Sequence, residues 1–90
     1  MNMAKNLGID LDAIRAAREV GRGVVEHTPV TPSAYLSQQF GGKVILKAEN
    51  LQRTGAFKIR GAINKLHTLG SDAKSGVVAG SAGNHAAGLA

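Results

Sequence analysis

The sequence predicts an α/β fold: a βαβ unit carrying part of a parallel sheet, incomplete in its strands and preceded by helices. Three observations lead there. Val44-Ile45-Leu46 and Gly76-Val77-Val78-Ala79-Gly80 are short apolar runs rich in β-branched residues, as buried strands are. Between them Phe57, Ile59, Ala62, Ile63, Leu66 and Leu69 recur at mostly helical spacing. A strand–helix–strand order of this kind gives two parallel strands joined by a right-handed crossover. Two strands are too few to make a parallel sheet with both faces covered, so the sheet is expected to be incomplete.

The elements follow in order. Asp10 is a plausible N-cap, and Leu11, Ile14, Ala17, Gly21 and Val24 are spaced for a helix over residues 11–25. Arg15, Arg18 and Arg22 form a stripe on another face of it. A phosphate-binding stripe is one reading. The simpler one is a solvated face with Arg15–Glu19 and Arg22–Glu26 as i,i+4 pairs. Pro29 and Pro32 break the pattern and predict an extended segment. Ser33 to Phe40 reads as a short helix stopped by Gly41-Gly42. After the first strand, Asn50 to Gly55 is polar and loop-like, and Gly70 ends the long helix. Ser81 to Asn84 is small and polar, and His85 to Ala90 begins another helix.

Composition bounds what such a chain can be. It has 90 residues, 43 % of them hydrophobic and 19 % charged, which is globular rather than disordered. A chain this short buries only about 60–65 % of its unfolded surface, so its stability is marginal. It has no cysteine, and His27, His67 and His85 are too scattered for a metal site, so neither disulfide nor metal staples it. Twelve glycines add to the entropy cost of folding. These features predict that residues 1–90 are part of something larger. No apolar run is long enough to cross a bilayer, and Met1 to Asp10 lacks the apolar core of a signal peptide, so a soluble cytoplasmic protein is expected. The net charge of +5 favours anionic partners: nucleic acid, phosphate or carboxylate. A small basic module for nucleic acid or another anion would satisfy the charge. Yet the three aromatic residues are not interleaved with basic ones, and no nucleic-acid-binding motif is present.

In open α/β sheets ligands bind beyond the carboxyl ends of the strands. Two loops leave such ends here, residues 49–58 and residues 80–85, and both run into helix N-termini, which attract anions. Lys58 falls in the first turn of its helix, where a cation opposes the helix dipole. It is either a surface lysine or an amine placed to attack a carbonyl. Ser81-Ala82-Gly83-Asn84 is either a plain β–α turn with a side-chain cap or a cradle whose amides approach a ligand. His85 is either a general base or a ring satisfied locally, and Phe57 at helical spacing reads as core. Gly21-Arg22-Gly23 runs on into Val24-Val25-Glu26, so no dinucleotide-binding fingerprint forms.

Two long motifs carry a resemblance. Lys47-Ala48-Glu49-Asn50-Leu51-Gln52-Arg53-Thr54-Gly55-Ala56-Phe57-Lys58-Ile59-Arg60-Gly61-Ala62 resembles the lysine motif of the threonine ammonia-lyase (threonine dehydratase) family. Ser81-Ala82-Gly83-Asn84-His85-Ala86 resembles that family's second N-terminal motif, and Thr28-Pro29-Val30 with the preceding helix fits the start of such enzymes. The resemblance implies the tryptophan-synthase-β-like fold of the fold-type II pyridoxal-phosphate enzymes, with residues 1–90 an N-terminal fragment of the catalytic domain. It implies pyridoxal 5'-phosphate as cofactor, L-threonine or L-serine as substrate, a 2-oxo acid and ammonia as products, and a homo-oligomeric parent without nucleic-acid or membrane partners. Lys58 would be the lysine that carries the cofactor and removes the α-proton. Phe57 would pack on the cofactor ring, and Asn84 would hydrogen-bond its phenolic oxygen. Ser81, Gly83, Asn84 and His85 would line the substrate-carboxylate site. Serine racemases share these motifs but carry a serine at the position of Ala82, and alanine cannot transfer a proton, which favours elimination over racemisation. The family's glycine-rich phosphate loop has no counterpart in these 90 residues, which implies that this piece alone lacks useful activity.

Overall fold

A computed structural model describes residues 8–90. Helix α1 spans Leu11–Gly21, β1 Val30–Pro32, α2 Ala34–Phe40, β2 Ile45–Lys47, α3 Lys58–Leu69 and α4 Asn84–Leu89. Single 3-10 segments cover Glu49–Leu51 and Gly70–Ser75. The signal-peptide reading of the N-terminus falls, up to residue 7, outside the described residues.

The helices form where side-chain caps and periodicity put them. Asp10 Oδ1 accepts the Ala13 amide at 2.8 Å and starts α1. Ser33 Oγ accepts the Leu36 amide at 3.2 Å and starts α2, and Gly41 at φ 67° ends it in the left-handed region that glycine tolerates. α1 is shorter than the periodicity predicts. It stops at Gly21 because Arg22 turns to an extended conformation and Gly23 takes φ 85°. The Val24 and Val25 amides then fold back onto the Gly21 carbonyl at 3.0 and 2.9 Å. The expected arginine pairs change accordingly. Arg22 pairs with Glu19 at 2.6 Å rather than with Glu26, and Arg15 lies 3.8 Å from Asp12 rather than pairing with Glu19. Glu26, off the helix, faces Arg53 at 3.4 Å.

The sheet differs from the expected parallel pair. β1 and β2 are antiparallel, with Val30 opposite Lys47, Thr31 opposite Leu46 and Pro32 opposite Ile45. Residues 76–80 are extended but join no ladder among the described residues, and Val78 is 99 % exposed. The run reads as a strand because its side chains suit a buried sheet; a strand also needs hydrogen-bonded partners, and the ladder among the described residues joins only β1 and β2. Ile45 and Leu46, expected to be buried, are half exposed for the same reason.

Packing is centred on α3, which meets α1 on one side and α4 on the other. Ile59 and Ala62, three residues apart on one face, are the buried apolar side chains. The radius of gyration is 16.1 Å, against about 12 Å for a compact domain of this length. The closest helix approach is at Gly88 of α4. A Cβ there would lie 3.2 Å from the Ile59 nitrogen and 3.3 Å from the Lys58 carbonyl carbon, backbone atoms that cannot yield as a side chain would. Gly61, by contrast, has open space where its Cβ would be. Gly88→Val is therefore expected to destabilise the chain by about 1–3 kcal/mol, and Gly61→Ala to stabilise it by about 0.5–1 kcal/mol, read as opposite shifts in the urea midpoint of the helical circular-dichroism signal.

Candidate active site

The loop from β2 to α3 starts at Glu49 and ends at Lys58, the first helical residue of α3. Phe57 occupies the cap position without a side-chain cap, so the turn is held by other means. Three consecutive residues do this by pointing in different directions around the helix. Lys58 opens into a hollow, Ile59 enters the core, and Arg60 reaches back to Glu49.

The Glu49 carboxylate is the hub. Arg60 grips it with both arms of its guanidinium, Nε donating to Oε1 and Nη2 donating to Oε2 at 3.1 Å. The Thr28 hydroxyl donates to Oε2 at 2.5 Å. Lys47 Nζ donates to the Thr28 carbonyl at 2.6 Å. One turn further on, Gln52 is buried and uses both ends of its amide: Oε1 accepts the Glu26 amide at 2.7 Å and Nε2 donates to the Glu26 carbonyl at 3.0 Å. Residues 26–28, 47–52 and 60 are thereby tied together by polar groups. The hydrogen bonds from Arg60 hold the Glu49 carboxyl at about 2, against the partial burial that pushes it up; Thr28 adds in the same direction. Arg60 is in turn held further into its charged range by Glu49.

Lys58 itself is exposed, and among the described residues its amine has no carboxylate partner. Its Nζ lies 5.4 Å from the centroid of the neighbouring Phe57 ring. Phe57, expected to be core on spacing alone, is 59 % exposed. An open hollow of about 400 Å³ joins Phe57, Lys58, Arg60, Gly61, Ala62 and His85. The structure thus brings Lys58, Phe57 and His85 to one place. Ser81, Gly83 and Asn84 stand at the head of α4 and do not line that hollow. The Ser81 hydroxyl accepts the Gly83 and Ala86 amides, both at 3.3 Å, so it closes its own turn. Asn84 and His85 are exposed.

A larger hollow of about 780 Å³ lies between α1 and the Lys47–Arg60 side, with Arg18, Arg22, His27, Lys47 and Arg60 on its wall. It does not contain Lys58, and most of its cations are engaged: Arg22 by Glu19, Arg60 by Glu49 and Lys47 by the Thr28 carbonyl. The smaller hollow is the one that holds Lys58, a primary amine with no carboxylate partner among the described residues, beside the Phe57 ring and His85. The one guanidinium at its edge is already paired, so a phosphate would find no free partner there. The sequence placed Glu49, Gln52, Arg60 and Thr28 only within motifs and did not assign them to one network. The available signal was four polar residues within or beside a loop that ends in a helix, a pattern that spacing alone does not mark as a network.

A family model described as "Pyridoxal-phosphate dependent enzyme" matches residues 22–90. The chain is 51 % identical over 83 residues to an L-threonine ammonia-lyase of Thermotoga maritima, covering 91 % of this chain and 21 % of that protein. It is 44 % identical over 90 residues to a catabolic L-threonine dehydratase of Escherichia coli, covering 99 % of this chain and 27 % of the other. Among solved structures, maize serine racemase matches with a TM-score of 0.74 and 43 % identity over 89 % of this chain and 26 % of that one. The chain therefore spans about a quarter of the length of the relatives it matches.

Among the described residues no helix is long and apolar enough to cross a membrane, and no group of histidine and acidic side chains could hold a metal ion. The Glu49 arrangement has a consequence for acid stability. Its folded value of about 2 lies below the ordinary 4.5, so its contribution, on the order of 2–3 kcal/mol, is present above pH 4.5 and lost as pH falls through about 2. Glu49→Gln should flatten the stability–pH curve across that window, measured as the urea midpoint at successive pH values.

Proposed function

The chain belongs to the pyridoxal-phosphate dependent enzyme family, and from that premise we propose that it is the N-terminal part of the catalytic domain of an ammonia-lyase acting on L-threonine or L-serine. The observation that supports this most is Lys58: an unpaired primary amine at the head of α3, in a hollow shared with Phe57 and His85. The relatives at 51 % and 44 % identity, which are named for threonine ammonia loss, supply the reaction class.

In this reading Lys58 holds the cofactor through its amine, Phe57 offers a ring face, and Asn84 donates its amide to the phenolic oxygen. Once bound, pyridoxal 5'-phosphate supplies an electron sink that acidifies the substrate's α-proton. The Lys58 Nζ would take that proton and, as its conjugate acid, donate one to the departing β-hydroxyl. Ser81, Gly83, Asn84 and His85 orient the substrate carboxylate, and the Ser81 hydroxyl does so partly by holding the Gly83–Ala86 turn. The products are a 2-oxo acid and ammonia. The likeness to a serine racemase favours a second reading, stereochemical inversion at the α-carbon. Ala82 argues for the lyase, because its methyl group has no proton to exchange.

The glycine-rich phosphate loop implied by the family resemblance has no counterpart in these residues, and the 90-residue chain alone is proposed to lack useful turnover. A cytoplasmic setting and a homo-oligomeric parent complete the proposal. The test is 2-oxo acid release from threonine by the full-length protein. Lys58→Ala should lower kcat by about 10²–10⁴-fold or more. Undiminished turnover in that variant would sink the role given to Lys58, and no 2-oxo acid release by the full-length protein would sink the lyase assignment. Turnover by residues 1–90 with added cofactor, abolished by Lys58→Ala, would overturn the inactivity of the piece alone.

A further inference from the structure

We infer that the Glu49–Arg60 pair is a positioning device for Lys58, setting where the lysine amine stands rather than only adding stability. The inference rests on Lys58 being the cofactor-bearing lysine. The first turn of α3 is fixed from two directions. On one side Gly88 brings α4 against the backbone of Lys58 and Ile59. On the other, Arg60 is gripped by Glu49 at the far end of the loop. Arg60 borders the same hollow, but no hydrogen bond joins the pair to the Lys58 amine, and residues two apart on a helix do not face each other, so its route to Lys58 is the backbone of the first turn.

The intervening loop cannot do this by itself. Within residues 50–57 the local bonds are the Gly55 amide to the Gln52 carbonyl at 2.8 Å, the Arg53 amide to Gln52 Oε1 at 3.2 Å and Thr54 Oγ1 to the Ala56 carbonyl at 3.4 Å, and none of them reaches Phe57 or Lys58. Gly55 takes φ 76°, and Phe57 gives α3 no side-chain cap. The Glu49 end is itself anchored, because Thr28 holds the same carboxylate and Lys47 holds the Thr28 carbonyl. With the Glu49–Arg60 bonds gone, α3 keeps its seat on α1 and α4 while its first turn loses its tie to the Glu49–Leu51 segment. The helix stays; the aim of Lys58 is freed.

Site-selective labelling separates this from plain stabilisation. The full chain is incubated with pyridoxal 5'-phosphate, reduced with borohydride, and the labelled lysines are quantified by peptide mapping. In the wild-type chain, label on Lys58 should exceed that on Lys43, Lys65 or Lys74 by about tenfold, the advantage of a placed amine. In Glu49→Gln and in Arg60→Lys, each close in shape to the original, that excess should fall towards onefold while the helical circular-dichroism signal is retained. Selectivity unchanged in both variants overturns the inference. Selectivity lost only together with the helical signal overturns it too, since the pair is then structural. A wild-type chain with no preference for Lys58 overturns the cofactor reading beneath it.

Discussion

The carboxylate of Glu49 is the interaction on which the rest depends. It is 15 % exposed, it accepts from Arg60 and Thr28, and it ties three stretches of chain that lie far apart in sequence. A carboxylate taken from water loses hydration worth several kcal/mol, and only multiple well-aimed donors offset that loss. Here the donors are three: two from one guanidinium and one hydroxyl. The asymmetry matters. Removing one partner leaves a charge without compensation, which costs more than the pair contributes when intact.

That weight is unusual because the apolar core is so small. Ile59 and Ala62 are the buried apolar side chains, whereas Thr28 and Gln52 are as deeply buried. In most small domains burial of hydrocarbon fixes the geometry and polar groups are accommodated afterwards. In this chain the polar network fixes the path of residues 26–28 against 47–52, and helix packing supplies a second, separate constraint at Gly88. Val78, Phe40, Tyr35 and Phe57 remain more than half exposed, so hydrocarbon suited to a core is present but not assembled.

The helices were legible because their signals are local. Asp10, Ser33, Gly41 and Gly70 mark ends within four residues of the groups they satisfy. The sheet was not, because a ladder is a relation between distant segments. Pro29 and Pro32 suggested extension, but nothing in their neighbourhood specified pairing with Ile45–Lys47 or its antiparallel sense. Residues 76–80 have the composition of a strand without its neighbours. In the site, Lys58, Phe57 and His85 border one hollow because the two motifs lead into helices that pack together, while Ser81, Gly83 and Asn84 do not line it. The Glu49–Arg60 pair spans eleven positions across an irregular loop, a spacing that no helical or strand period marks.

The distribution of charge gives Lys58 its character. The chain has six acidic residues, and five are committed: Asp10 caps α1, and Asp12, Glu19, Glu26 and Glu49 each face an arginine. Only Asp72, in the Gly70–Ser75 segment, has no such partner among the described residues. Arginine takes the carboxylates because its planar fork matches them, while a lysine amine is a point charge more cheaply left in water. The excess positive charge therefore resides mainly on lysines, and no carboxylate remains near Lys58 to neutralise it. An unpaired lysine beside an aromatic face keeps its amine open to solvent, whereas one held in an ion pair would be covered by its partner. The acidic residues are thus spent elsewhere: the Glu49 carboxylate is taken by Arg60 and Thr28 rather than by a lysine.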